Sequence, residues 1–394
     1  MLPWKKKLIA AAGGVLVSLV IGELGLRLLG VSFQDFYRAD PVRGTSHRPG
    51  ARGWFRREGR QYIVINSDGF RDRERSRRKP TGVYRVAVLG DSFTEAFQVA
   101  QHDAFWAVLE RELNGCPAFR GRTVEVLNFG VSDYGTAQEL LTLRHCIWDY
   151  APDLILLAFF TGNDVWDNVR TLKSDPEAPY YVLKDGALVL DDSFRNTPRQ
   201  GAERSWARRA LRGVIESSRL LQLVRQAWGV AWSRSGNLSR ASTGKEYTAS
   251  WYQNPIYREP TSSDWAEAWE VTERLLLEMR DEARRHGVQF MVATLSNGPQ
   301  VHPDARVRQQ LARALGVADL DYPDRRLRRF GESAGIAVFN LAPPFRAEAE
   351  RRQVFLHGFD ADLGTGHWNE AGHQLAGRIL ARWICEGGKR GDSS

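Results

Sequence analysis

The sequence predicts an α/β fold: a doubly wound, mostly parallel sheet flanked by helices, with an N-terminal transmembrane helix and an inserted cap. Three observations carry this. Short continuous apolar runs, such as Val86-Ala87-Val88-Leu89 and Leu154 to Phe160, read as strands buried on both faces. Segments of helical spacing alternate with them, which indicates parallel strands joined by helical crossovers. Clusters of Gly, Asp, Asn and Ser follow several of the runs directly, where ligand sites form in such sheets.

At the N-terminus, Lys5-Lys6-Lys7 precede an apolar stretch. Leu8 to Val31 is 24 residues, about 36 Å as a helix, enough for a hydrocarbon core of about 30 Å. Glu23 and Arg27 are four residues apart and share a helix face. Lysines before the stretch and none directly after it orient the N-terminus inward, so the rest of the chain is expected outside the cytoplasm. A cleaved signal peptide is the competing reading, but no small-x-small site follows the stretch.

The expected organisation is an anchor over 1–31, a lead-in over 32–83, and one α/β domain over 84–388 interrupted by an insertion at about 168–262. The lead-in is polar and Arg/Gly-rich, with a single strand-like run at Tyr62 to Ile65 and a turn at Asn66-Ser67-Asp68-Gly69. The domain then reads strand (86–89), helix (104–114), strand (124–127), helix (136–149) and strand (154–160). After the insertion come helix (264–286), strand (288–295), helices (305–315 and 323–334), strand (336–339) and helix (370–386). The insertion predicts a hairpin from Tyr181 to Leu190 turning at Asp185-Gly186. A helical stretch near 202–231 and a Ser/Gly-rich loop near 233–245 complete it. Lying where loops leave strand ends, it is expected to cap a site.

Composition narrows the function. The chain has 394 residues, 43% hydrophobic, with 55 Lys+Arg against 47 Asp+Glu, a net +8. That much apolar surface excludes disorder over most of the length, and 3 cysteines exclude a disulfide scaffold. The positive charge is mostly arginine interleaved with acids, as in Arg71-Asp72-Arg73-Glu74-Arg75. It reads as a solvated surface, and no nucleic-acid partner is expected. Cys116 and Cys146 end the helices after the first two strands and are one candidate pair in an oxidising compartment, which would leave Cys385 unpaired; the sequence leaves the pairing open.

The chemistry-bearing blocks are Gly90-Asp91-Ser92 after the first strand, Asn128 to Gly135 after the second, Thr161-Gly162-Asn163-Asp164 after the third, and Gly366-His367-Trp368-Asn369 before the last helix. A serine on a sharp strand-to-helix turn exposes its hydroxyl. A histidine takes its proton, and an amide with backbone N–H groups holds a developing oxyanion. Asp91 and Asp164 are expected to hydrogen-bond local backbone. His373 is expected to be a structural residue inside the last helix, and His357, His367 and His373 match no zinc spacing. The insertion's Trp206, Trp228, Trp232 and Trp251 are expected in the core.

These four blocks, in this order, resemble the SGNH (GDSL-type) hydrolase family over about residues 84–165 and 286–386. The anchor followed by Asn66-x-x-Gly69-Phe70-Arg71 is similar to membrane-anchored members. The resemblance implies Ser92 as nucleophile, His367 as general base and Asn163 as an oxyanion donor. Two positions depart from the pattern. The family's acid, two or three residues before the histidine, falls on Thr365 or Gly364. Asp362, five before, is the candidate, with Asp360 or a serine–histidine dyad as alternatives. The block-two glycine falls on Asp133, with Gly135 two residues later, and either backbone N–H is a candidate donor.

The expected function is a membrane-anchored serine esterase (a hydrolase of the SGNH/GDSL type) acting outside the cytoplasm, periplasmic or at the cell surface, without a cofactor or metal. Its substrate would be a small acyl ester, a lipid or an acylated glycan. The alternatives are an O-acyltransferase on an envelope polysaccharide, using the same triad, and a catalytically silent binding module, favoured by the acid missing near His367.

Overall fold

The computed structural model describes residues 3–234 and 255–388. The Ser/Gly-rich stretch near 233–245 falls almost wholly outside these, as does Trp251. Four short strands pair in the lead-in: β1 (Tyr37–Asp40) with β2 (Gly44–His47), and β3 (Arg52–Phe55) with β4 (Gln61–Val64), both antiparallel. Only β4 carries an apolar run, so the sequence pattern marks one strand where four form.

The main sheet contains β5 (Val83–Gly90), β6 (Thr123–Asn128), β7 (Leu154–Phe160), β10 (Gln289–Leu295) and β11 (Ala337–Asn340). The insertion's hairpin, β8 (Tyr180–Lys184) and β9 (Ala187–Asp191), turns through Asp185 and Gly186, both at positive φ. The sheet order is β11-β10-β7-β5-β6, with all pairs parallel. Strand order reverses between β5 and β7, and the crevice beyond their carboxyl ends is where such sheets hold ligands. Every residue of β7 is buried, as a strand covered on both faces requires.

One apolar layer joins the sheet to the helices Thr136–Thr142, Ser263–Arg285 and Tyr322–Ala334. The other joins it to Phe105–Asn114, Ala342–Arg352 and Glu370–Cys385. The helix predicted over 136–149 is α-helical only to Thr142, then widens into a π turn at Leu143–Ile147. The candidate pair Cys116–Cys146 does not form. Cys116 is bonded to Cys385, with Cα atoms 6.1 Å apart, and Cys146 is free. The last helix packs along Phe105–Asn114 and brings its end to Cys116, whereas Cys146 lies in the π turn on the other face. The bond closes 269 residues of sequence. The Cys116→Ser/Cys385→Ser variant is therefore expected to lose roughly 2–5 kcal/mol of stability, readable as a lower denaturant midpoint.

The N-terminal helix spans Pro3–Leu28. Within its Trp4–Leu28 segment, the most apolar 18-residue stretch has mean hydropathy 2.0 and is not buried. None of the insertion's described residues is hydrogen-bonded to Ser92 or His367, although Lys173 Nζ reaches the Asp133 carbonyl beside the strand ends. The insertion's helices Pro198–Arg204, Trp206–Ser217 and Arg219–Arg234 lie against the lead-in and the N-terminal helix instead. Gln200 donates to the carbonyls of Asp40 and Gly44, at 3.2 and 2.8 Å. Trp206 and Trp228 are exposed rather than core, because both helices turn their polar sides inward.

Candidate active site

Ser92 opens the short helix Ser92–Glu95 directly after β5. Asp91 caps it, accepting the Phe93 N–H at 2.9 Å. Burial pushes the Asp91 carboxyl up to about 6. The helix is held from below by Glu95, which is fully buried. Its carboxylate accepts from His47 Nε2 (2.6 Å), Tyr37 Oη (2.9 Å) and Ser132 Oγ (2.5 Å). Arg71, of the Asn66-x-x-Gly-Phe-Arg motif, donates to the Glu95 carbonyl at 3.0 Å. The lead-in thus clamps the turn that carries Ser92.

His367 sits on a loop fixed by the bridge between His357 and Trp368. His357 Nδ1 bonds the Gly366 carbonyl (2.8 Å) and its Nε2 bonds Ser296 Oγ (3.0 Å). Burial lowers His357 to about 4, which keeps it neutral. Asn369 caps the following helix by accepting from Gly372 N–H at 3.1 Å. His373 lies inside that helix, where its Nδ1 accepts the Phe105 N–H at 3.3 Å.

This framework brings His367 Nε2 to 2.8 Å from Ser92 Oγ. On the other side of the ring, His367 Nδ1 lies 2.5 Å from Glu58 Oε2, and the His367 backbone N–H donates to Glu58 Oε1 at 2.8 Å. The carboxylate partner is therefore Glu58, not Asp362. Asp362 and Asp360 are exposed on the loop before the histidine. The Asp362 carbonyl accepts from Thr365 Oγ1 at 2.9 Å, shaping that loop.

Glu58 comes from the tip of the β3–β4 hairpin. Gly59, next to it, has φ +68, and a Cβ there would collide with the Gln98 carbonyl; the tip can press against the domain only because the residue is glycine. Gly366 (φ +70) likewise leaves the space that Glu58 Oε1 fills. The signal in the sequence is the acid–glycine pair Glu58-Gly59 just ahead of the strand-like run at 62–65, far from the ends of the main strands where such sheets hold ligands.

The electrostatics are those of a partly buried acid–base pair. Burial alone would raise Glu58; the His367 ring overrides it and holds the carboxyl below its ordinary range. Burial alone would lower His367; the Glu58 charge and hydrogen bond reverse that and raise it above 6.5.

Three candidate oxyanion donors are unengaged among the described residues. The backbone N–H groups of Ser92 and Asp133 have no partner among the described residues, and neither does the amide of Asn163 at the end of β7. Asp133 has φ +65, the left-handed conformation that glycine favours, with its side chain turned to solvent. Lys173 Nζ holds its carbonyl at 2.6 Å. Gly135, the other block-two candidate, has its N–H committed to Gln138 Oε1 at 3.1 Å. Asp164 bonds the Phe160 N–H at 2.6 Å, and burial followed by Glu139 raises its carboxyl well above the ordinary range.

Fold and site together define an α/β protein with a hydrogen-bonded serine–histidine–glutamate set at the strand reversal. No family model and no curated protein sequence matches the chain. Solved structures are similar to it at low identity. The acetyl xylan esterase AlAXEase is 11% identical, covering 77% of this chain and 98% of its own, with a TM-score of 0.37. TesA is 13% identical, covering 76% and 99%, with a TM-score of 0.35. A catalytic mutant of the acetylxylan esterase Axe2 from Geobacillus stearothermophilus is 10% identical, covering 76% and 94%, with a TM-score of 0.39. The functional reading therefore rests on this chain's own residues.

Proposed function

We propose that the protein is a serine-dependent ester hydrolase, held by its N-terminal helix in a membrane with the catalytic domain outside the cytoplasm. The observation that carries this reading is the continuous set Ser92 Oγ–His367 Nε2 at 2.8 Å and His367 Nδ1–Glu58 Oε2 at 2.5 Å.

In this reading Ser92 Oγ attacks the acyl carbon and its proton passes to His367 Nε2. Glu58 holds the ring so that Nε2 faces the serine, and it stabilises the imidazolium that forms. The carbonyl oxygen takes up the electron pair and is received by the N–H groups of Ser92 and Asp133 and the amide of Asn163. Collapse breaks the ester bond, and His367 returns the proton to the leaving alkoxide. Water then repeats the sequence on the acyl-serine, releasing the acid and restoring Ser92. No step calls for a cofactor.

Glu58 supplies the carboxylate whose absence near His367 favoured a silent binding module. The placement outside the cytoplasm is supported by the lysines before the apolar helix and by the Cys116–Cys385 bond, since such bonds persist in oxidising compartments. The test is turnover of a panel of short-chain nitrophenyl esters and acylated oligosaccharides by the detergent-solubilised full chain. Release of free acid supports the hydrolase. Acyl transfer to an added glycan in excess of hydrolysis would make it an acyltransferase. Asn163→Ala is expected to lower kcat about 10²–10³-fold, equivalent to about 2.7–4 kcal/mol of barrier, with KM little changed.

A further inference from the structure

We propose that the helices Trp206–Ser217 and Arg219–Arg234 form a pad that lies on the bilayer surface, with their apolar sides in the headgroup–acyl boundary. The proposal rests on the reading of the N-terminal helix as membrane-crossing.

Both helices are amphipathic in the sense opposite to an ordinary surface helix. At about 100° per residue, Trp206, Ala210, Leu211 and Val214 share one side of the first helix, and that side faces outward: Trp206 is 76% exposed and Leu211 60%. The polar side faces the protein. Arg212 pairs with Glu203 at 2.7 Å, and Glu216 pairs with Arg48 and accepts from Gln34 at 2.9 Å. In the second helix the fully buried Gln222 accepts the Phe33 N–H at 3.0 Å and donates to the Glu216 carbonyl at 2.7 Å. Arg225 donates to the Phe33 carbonyl at 2.7 Å. Leu221, Val224 and Trp228 are left outside, Trp228 being 70% exposed.

Continuity with the apolar N-terminal helix identifies what covers this face. Glu23, near that helix's far end, caps the second helix of the pair. It accepts from Ser218 Oγ (2.9 Å) and from the N–H groups of Arg219 and Leu220 (3.1 Å each). Arg27 donates to the Ser217 carbonyl at 2.6 Å, and Leu220 packs over Gly22. The exposed apolar surface thus runs from the helix that would leave the bilayer directly onto the pair. Arg208 and Arg209 are exposed beside it and form no ion pair among the described residues, which suits anionic headgroups. A helix of this kind sits about 5–10 Å into the boundary.

The test uses the full chain with Cys146→Ser and one introduced cysteine carrying an environment-sensitive fluorophore: Val15→Cys, Val214→Cys, Val224→Cys or Arg329→Cys. Each is reconstituted into phosphatidylcholine–phosphatidylglycerol vesicles holding lipids spin-labelled at the headgroup or deep in the chain. Positions 214 and 224 are expected to shift to the blue and to lose most of their emission to the shallow quencher. Position 15 should lose its emission to the deep quencher, and position 329 to neither. Behaviour of 214 and 224 like 329, with 15 quenched, overturns the pad and leaves the anchor standing. Absence of quenching at 15 overturns the anchor, and the result at 214 and 224 then decides surface contact by itself. A blue shift without lipid quenching means that protein, such as a second copy of the chain, covers the face, which also overturns the pad.

Discussion

Glu58→Gln is expected to lower kcat/KM for a short-chain nitrophenyl ester roughly 10⁴-fold, while Asp362→Asn changes it little. The size follows from what the carboxylate does. It accepts both the Nδ1 and the backbone N–H of His367, so it sets the tautomer that leaves Nε2 free to take the Ser92 proton. A glutamine keeps the shape but presents no charge, and can place its own donor against Nδ1. The pH profile separates this from a merely structural loss. His367 must be neutral to act as base, and beside Glu58 its ring is held above 6.5. As pH falls through that raised value the ring takes a proton and kcat/KM falls. Without the charge, burial lowers the ring against only the smaller pull of Asp91 and Glu95, so the acid limb of Glu58→Gln should move to lower pH.

Ser92→Ala is expected to remove turnover by a factor on the order of 10⁶, leaving only what the oxyanion donors contribute over water. Because Ser92, His367 and Glu58 act as one unit, the double variant Ser92→Ala/Glu58→Gln should be no slower than Ser92→Ala alone. Additive losses would mean that Glu58 acts by another route. Folding of Ser92→Ala is expected to be intact: among the described residues the Ser92 hydroxyl is bonded only at the site, to His367 and, at 3.5 Å, to Asp91. Equal thermal midpoints for the two proteins would check this.

The sheet was legible because β5, β6, β7 and β10 are apolar runs of strand length, buried within two helical layers. Ser92, Asn163 and His367 were legible because they follow or precede such elements directly. The lead-in strands were not: β2 (Gly44–His47) has no large apolar residue and forms through its partner and the contacts of His47 and Tyr37 with Glu95. Glu58 lies 309 residues from His367, and only the docking of its hairpin, with Gly59 against Gln98, brings the two together. The same holds for Cys116, whose partner depends on how the last helix packs. In the insertion, the sequence marked a helical stretch near 202–231, but which side of its helices turned inward was decided by Phe33, Gln34 and Arg48 of the lead-in.

The most direct test of the triad is the rate at which a fluorophosphonate modifies Ser92, followed by intact mass and located by peptide mapping. The wild type and Asp362→Asn should be labelled once, at Ser92, at similar rates. Glu58→Gln should be labelled far more slowly, and Ser92→Ala not at all. A folded wild type that takes no label, or an Asp362→Asn protein slowed as much as Glu58→Gln, would contradict the assignment of Ser92, His367 and Glu58.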